Sequence, residues 1–194
     1  MSERRTQILE AARKILVKDG YESLTTGRVA EDVGVTSAGV HYHFETKEEL
    51  IVALVEYLEE RMVEELESHD GPPEEQLAAI VQGQFEAAEA VREMTAPPGI
   101  QLVLAGARAE AVREALTSYV NAYTDHVTGV LDAGVESGVF ETDNPERVAA
   151  FLMSMTDSAA VRSALNLPLD PLAESVTDPI LADIYVNEPP EVAL

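Results

Sequence analysis

Apolar residues recur along this chain with the period of a helix. Ile8, Leu9, Ala12, Ile15 and Leu16 fall on one helical face, and Gly20 follows where such a helix would stop. Thr25 is placed to cap a short second helix that turns Val29, Ala30 and Val33 inward. Gly34 suits the positive φ of a tight turn. Thr36 then caps a short third helix with Val40 and Phe44 on its buried side. Thr46 with Glu49 three residues later makes a capping box, which opens a long fourth helix to about Ser68.

Beyond it, Asp70-Gly71-Pro72-Pro73 is a break, and a fifth helix is predicted from Glu74 to Met94. Pro97-Pro98-Gly99 precede a short helix over 100–107. The spacing predicts a long helix over 109–136, closed by Ser137-Gly138. Asn144-Pro145-Glu146 starts another, to Leu165, because proline at the first helical position gives up no hydrogen bond. A last helical segment over 172–186 contains Pro179, and Glu188-Pro189-Pro190 ends regular structure. Nothing reads as a strand. The expected fold is all-α: a three-helix helix-turn-helix unit over 1–46, a helical domain over 47–187 and a tail over 188–194.

Composition narrows the function. With 46% hydrophobic residues in 194, the chain can bury a substantial core. It has no cysteine, which excludes disulfides and thiolate metal sites. The first sixteen residues are amphipathic and mix acids with bases, unlike a signal peptide. No apolar run approaches the roughly 18 residues a membrane span needs. A soluble, cytoplasmic protein with no membrane partner is the expectation. G-x-S-x-G, H-E-x-x-H, P-loop and dinucleotide fingerprints are all missing, so neither an enzyme nor a cofactor is expected. His41 and His43, two apart on a predicted helix, would diverge, and no metal site is expected.

The charge is extreme and uneven. Thirteen Lys plus Arg stand against 36 Asp plus Glu, a net −23. Residues 1–47 hold seven bases (Arg4, Arg5, Arg13, Lys14, Lys18, Arg28, Lys47) and seven acids. Residues 48–194 hold six bases and 29 acids, and so carry the whole excess. Such acidity alone argues against a polyanionic partner, but the first quarter of the chain has been kept neutral. Only three residues are lysine, a composition suited to a salty cytoplasm with short-range screening.

The order of short motifs is more specific than the helix pattern. Ile8-Leu9-Glu10-Ala11-Ala12, Asp19-Gly20-Tyr21-Glu22 and Thr25 through Thr36 lead into Val40-His41-Tyr42-His43-Phe44 and Thr46-Lys47-Glu48-Glu49-Leu50. Over residues 4–50 this strongly resembles the DNA-binding domain of the TetR family of repressors. Leu131 through Phe140, followed by Asp143-Asn144-Pro145-Glu146, resembles that family's lead-in to its penultimate helix. The resemblance implies that Thr25 and Thr26 meet a phosphate at the start of the second helix. It implies that the third helix enters the major groove with Thr36, Ser37, Ala38, Gly39, His41, Tyr42 and His43, and that Lys47 clamps a phosphate. Ser37 and Gly39 stand where the family often has lysine and threonine, and Glu45 where lysine is common. The recognition helix therefore carries no Lys or Arg. Bidentate guanine readout is unavailable from it, although Arg28 can reach a base or phosphate from the second helix.

For the rest, the resemblance implies an effector pocket and a homodimer on double-stranded operator DNA. Tyr57, Met62, Gln84, Met94, Tyr119, Tyr123 and His126 are the polar or adaptable residues within apolar helices and the candidates for the pocket. Scarce buried cations suggest an apolar or amphipathic effector. Val148, Leu152, Met155 and Ala159, with Val176, Ile180 and Ile184, form an apolar stripe that suits either a dimer interface or plain core. The expected function is a transcriptional regulator released from a palindromic operator by a small molecule. A related scaffold or protein-interaction module without DNA binding stays open, because the recognition helix lacks bases.

Overall fold

The computed structural model describes residues 2–91, 98–169 and 184–186. Among these the protein is all-α, with eight α-helices: α1 (Glu3–Asp19), α2 (Thr26–Val33), α3 (Ser37–His41), α4 (Lys47–Glu67), α5 (Pro73–Ala90), α6 (Pro98–Gly106), α7 (Glu110–Ser137) and α8 (Pro145–Ala164). One 3-10 turn, Tyr21–Ser23, follows α1. The start signals act as their chemistry dictates. Ser2, Thr25, Thr36 and Asn144 each accept a backbone N–H three residues ahead. At the head of α4, Thr46 accepts the Glu49 N–H at 3.1 Å while the Glu49 carboxylate accepts the Glu45 N–H at 2.8 Å.

The chain divides into two compact units: Met1–Arg61 with Met94–Tyr119, and Met62–Glu93 with Val120–Leu194. Helices α4 and α7 contribute residues to both. The first unit is organised around Ile8, Leu9 and Leu16 of α1, Val29 of α2, Val40 of α3, Phe44, and Leu50, Ile51 and Leu54 of α4. Leu102 and Ala105 of α6 and Val112 of α7 complete it. Each such leucine or phenylalanine stabilises the fold by about 1.5–3 kcal/mol through burial.

The second unit packs Leu66 of α4 and Leu77, Ile80 and Val81 of α5 with Val127 and Leu131 of α7 and Ala149 and Leu152 of α8. Phe140 closes it. A Cβ on Gly134 would run into the Phe140 ring, so that position requires glycine for close approach. Phe140 also meets Tyr185 edge-on at 4.9 Å, and Glu141 N–H donates to the Ile184 carbonyl at 2.8 Å. Residues 140 and 185 thus form a single antiparallel bridge. The helical segment expected over 172–186 therefore ends in extended backbone at Tyr185. Residues 170–183, with Val176 and Ile180, lie outside the described residues.

Part of the apolar stripe expected at a dimer interface lies in the protomer's own core, where Leu152, Ala159 and Ile184 are 0%, 3% and 6% exposed. Val148 and Met155 are half-buried against the same core. The outward face of α8 carries Phe151, Ser154, Ser158 and Val161 and runs on to Leu165. These residues repeat at three- and four-residue intervals, as a helix-pairing seam does.

Candidate nucleic-acid interface

The first unit presents a helix-turn-helix whose geometry follows from its caps. Thr25 Oγ1 accepts the Arg28 N–H at 3.2 Å, which starts α2. Gly34 ends it in the left-handed region at φ 74°, a conformation that a Cβ would strain. Val35 N–H returns to the Ala30 carbonyl at 2.9 Å, and Thr36 Oγ1 accepts the Gly39 N–H at 3.2 Å to start α3. Val40 and Phe44 are fully buried behind this turn, so α3 is anchored from one side only.

The other side is open. Thr25, Thr36, Ser37, Ala38, His41 and Tyr42 are exposed, and Thr26, Gly39, His43 and Lys47 are half-buried. Tyr42 is 87% exposed, and among the described residues its ring meets only that of His43, edge-on at 5.2 Å. One expectation changes. Helix α3 ends at His41, so Tyr42 and His43 sit in the turn that follows it, not on the helix. Phe44 likewise enters the core from beyond the helix. His41 Nε2 lies 3.3 Å from Thr26 Oγ1, which joins the recognition helix to the start of α2.

Two cations expected at the interface have internal partners. Arg28 reaches Asp19 at 3.3 Å. Lys47 Nζ donates to the Tyr21 carbonyl at 2.8 Å and lies 3.9 Å from the centre of the Tyr21 ring. Desolvation holds the Lys47 ammonium below its ordinary pKa, opposed by Glu22. An ammonium has three N–H groups, so this contact leaves donors for a phosphate. Beside α2, Lys18, Asp19, Ser23, Thr25 and Arg28 line an open cleft of about 560 Å³. Sequence reasoning missed Lys18 here, and also Gln101 of α6, which accepts the Tyr21 N–H. Neither carries a motif; only folding brings residue 101 to residue 21.

The effector candidates separate into groups. Tyr57 donates a hydrogen bond to Glu10 of α1 within the first unit. This bond lowers the Glu10 pKa and raises that of Tyr57. Tyr119 also packs on the first core. Met62, Gln84, Tyr123 and His126 belong to the second unit. There Gln84 hydrogen-bonds the Tyr123 hydroxyl, and Met62 packs against the core. Among the described residues His126 Nε2 is buried without a hydrogen-bond partner, and desolvation pushes its pKa down. Met94 lies outside the described residues.

A profile for bacterial regulatory proteins of the tetR family matches residues 8–54, which include α2, the turn and α3. Over 172 residues the chain is 30% identical to the HTH-type transcriptional repressor AcnR of Corynebacterium glutamicum, covering 88% of this chain and 87% of that protein. The chain belongs to the TetR family. A TetR transcription regulator from Haloarcula marismortui shares the fold with a TM-score of 0.82 at 22% identity, over 95% of this chain and 100% of that one. A regulator from Saccharomonospora viridis, solved in complex with choline, does so with a TM-score of 0.72 at 20% identity, over 96% and 100%. As a TetR-family member this protein is a DNA-binding transcriptional regulator. Among the described residues no helix is long and apolar enough to cross a membrane.

Proposed function

We propose that this TetR-family regulator is a repressor that binds a palindromic operator as a homodimer and leaves it when a small molecule binds. The observation that carries the reading is the one-sided anchoring of α3. Val40 and Phe44 fix it from behind, while Thr36, Ser37, Ala38, His41 and Tyr42 are left to solvent. In this reading Thr25, Thr26 and Lys47 hold phosphates, and Ser37, Gly39, His41, Tyr42 and His43 meet the groove. Arg28 reaches DNA by exchanging Asp19 for a phosphate. Two-fold symmetry supplies the second recognition helix about one DNA turn away. The outward seam of α8 around Phe151, Val161 and Leu165 supports pairing with a second copy.

The effector is apolar or amphipathic and contacts Met62, Gln84, Tyr123 and His126. The hydrogen bond between Gln84 and Tyr123 and the unpartnered His126 nitrogen support a ligand with one polar end. Helix α4 carries the signal, since it begins at Lys47 beside the recognition turn and ends among second-unit residues. A ligand that favours one position of α4 shifts the population away from the operator-competent state. The net −23 and scarcity of lysine support a cytoplasm rich in salt, and no catalytic role is assigned. The base-free recognition helix favours one competing reading, a scaffold without DNA affinity.

The test is to incubate the protein with a random duplex pool at about 0.2 M and about 2 M KCl and sequence what it retains. An enriched palindrome with half-sites about one turn apart is expected. No enrichment at either salt would favour the scaffold.

A further inference from the structure

The recognition surface of this protein has no lysine or arginine between Arg28 and Lys47, yet two of the chain's four histidines stand on it, at positions 41 and 43. His41 is exposed at the end of α3, and His43 is half-buried in the next turn between Tyr42 and Phe44. The charged groups on the elements packed around them are mostly engaged. Arg5 of α1 lies over the Phe44 ring at 5.2 Å, and Lys14 of α1 binds Asp32 of α2 at 3.0 Å. Arg28 of α2 binds Asp19, Lys47 binds the Tyr21 carbonyl, and Glu49 of α4 accepts the Glu45 N–H. Glu31 of α2, Glu45 in the connection and Glu48 of α4 are exposed. These carboxylates repel a phosphate, and no fixed cation on α3 offsets them.

We propose that His41 and His43 are the titratable cations of the recognition surface, so that a proton is taken up with DNA and affinity rises as pH falls. The proposal rests on the DNA-binding reading and names its regulation. The hydrogen bond at Thr26 gives the mechanism at His41. With the imidazole neutral and its proton on Nδ1, Nε2 accepts from the Thr26 hydroxyl, which is then occupied. Protonation turns Nε2–H into a donor toward Thr26 Oγ1. The Thr26 hydroxyl hydrogen is thereby released toward a phosphate, Nδ1–H remains a second donor, and the surface gains one positive charge. A phosphate beside either ring stabilises the charged form, so the complex binds more protons than the free protein. By linkage its affinity must then fall as pH rises.

Histidine is the side chain that changes charge between pH 5 and 8, and most carboxylates are already ionised there. The other two histidines, His69 and His126, lie in the second unit. Glutamine keeps hydrogen-bonding capacity at 41 and 43 without the charge. The experiment measures retention of a labelled random-sequence duplex pool at constant KCl from about pH 8 to about pH 6. It compares the wild-type protein with the His41→Gln/His43→Gln double variant, whose folding is checked by thermal unfolding. The expected result is a gain in wild-type affinity of at least about tenfold over that range and a flat profile for the double variant, whatever its absolute affinity. A flat wild-type profile, or a double variant as steep as wild type, would overturn proton coupling and leave the regulator reading intact. No retention at any pH would overturn both together.

Discussion

The recognition unit and the second unit are built by different rules. In the first, short-range chemistry sets the geometry: Thr25 and Thr36 cap, Gly34 turns, and α3 is only five residues long. Its surface charge over residues 1–47 balances at seven against seven. In the second, long helices hold together through Leu77, Leu131, Leu152 and Phe140, with caps only at their ends. Acids far outnumber bases over residues 48–194, and among the described residues its polar interior includes the Gln84–Tyr123 hydrogen bond and His126. The difference shows that the recognition backbone is set chiefly by local capping chemistry and the second unit chiefly by burial.

Substitutions can break or sharpen this contrast. The largest effect is expected at Phe44→Ala, which removes a fully buried ring behind the recognition turn and costs about 3–5 kcal/mol by chemical denaturation, with DNA binding lost. Gly134→Ala strikes the second unit by forcing a Cβ against Phe140, at about 1–3 kcal/mol. Should Gly134→Ala prove neutral in urea unfolding, the close approach is not required. Thr36→Ala removes the cap of α3 and costs about 1 kcal/mol, with a loss of DNA affinity that exceeds the loss of stability. Tyr57→Phe takes a hydrogen bond from Glu10 and costs about 1–2 kcal/mol. Its pH signature has a definite sign. Because the folded Glu10 pKa is lowered, chiefly by the Tyr57 hydrogen bond, that stability is present above the unfolded carboxyl pKa and lost as pH falls through the folded one. Wild type and Tyr57→Phe should therefore converge in acid and separate toward neutrality. The smallest effect on stability, within about 0.5 kcal/mol, is expected for Tyr42→Ala, since the ring is nearly free in solvent. A fall in DNA retention without a fall in melting temperature is the expected pair of results.

Much of the fold was legible because its signals are local. Asn144-Pro145, Thr46 through Glu49 and Pro72-Pro73 set helix starts within a residue or two, as capping chemistry requires. The recognition turn was legible for the same reason, except that α3 stops at His41 and hands Tyr42 and His43 to a turn. What was hidden depends on residues distant in sequence. Tyr57 has the apolar surroundings of a pocket residue, and only the fold brings it to Glu10. Leu152 and Ala159 fit an interface stripe and a core stripe equally well, and the inward choice is made by α5 and α7. Lys47 reads as a surface side chain from the sequence, and only the fold brings its ammonium to the Tyr21 carbonyl.

The most direct test of a DNA reader built without arginine or lysine on its recognition helix is the salt dependence of its affinity for the palindrome retained from the duplex pool. Ordinary readers lose affinity with a slope near −0.9 per neutralised phosphate. For this protein a shallow slope is expected, equivalent to only a few phosphates, with binding that persists to about molar KCl as cations screen the acidic second unit. A steep fall that abolishes binding well below molar salt would contradict it.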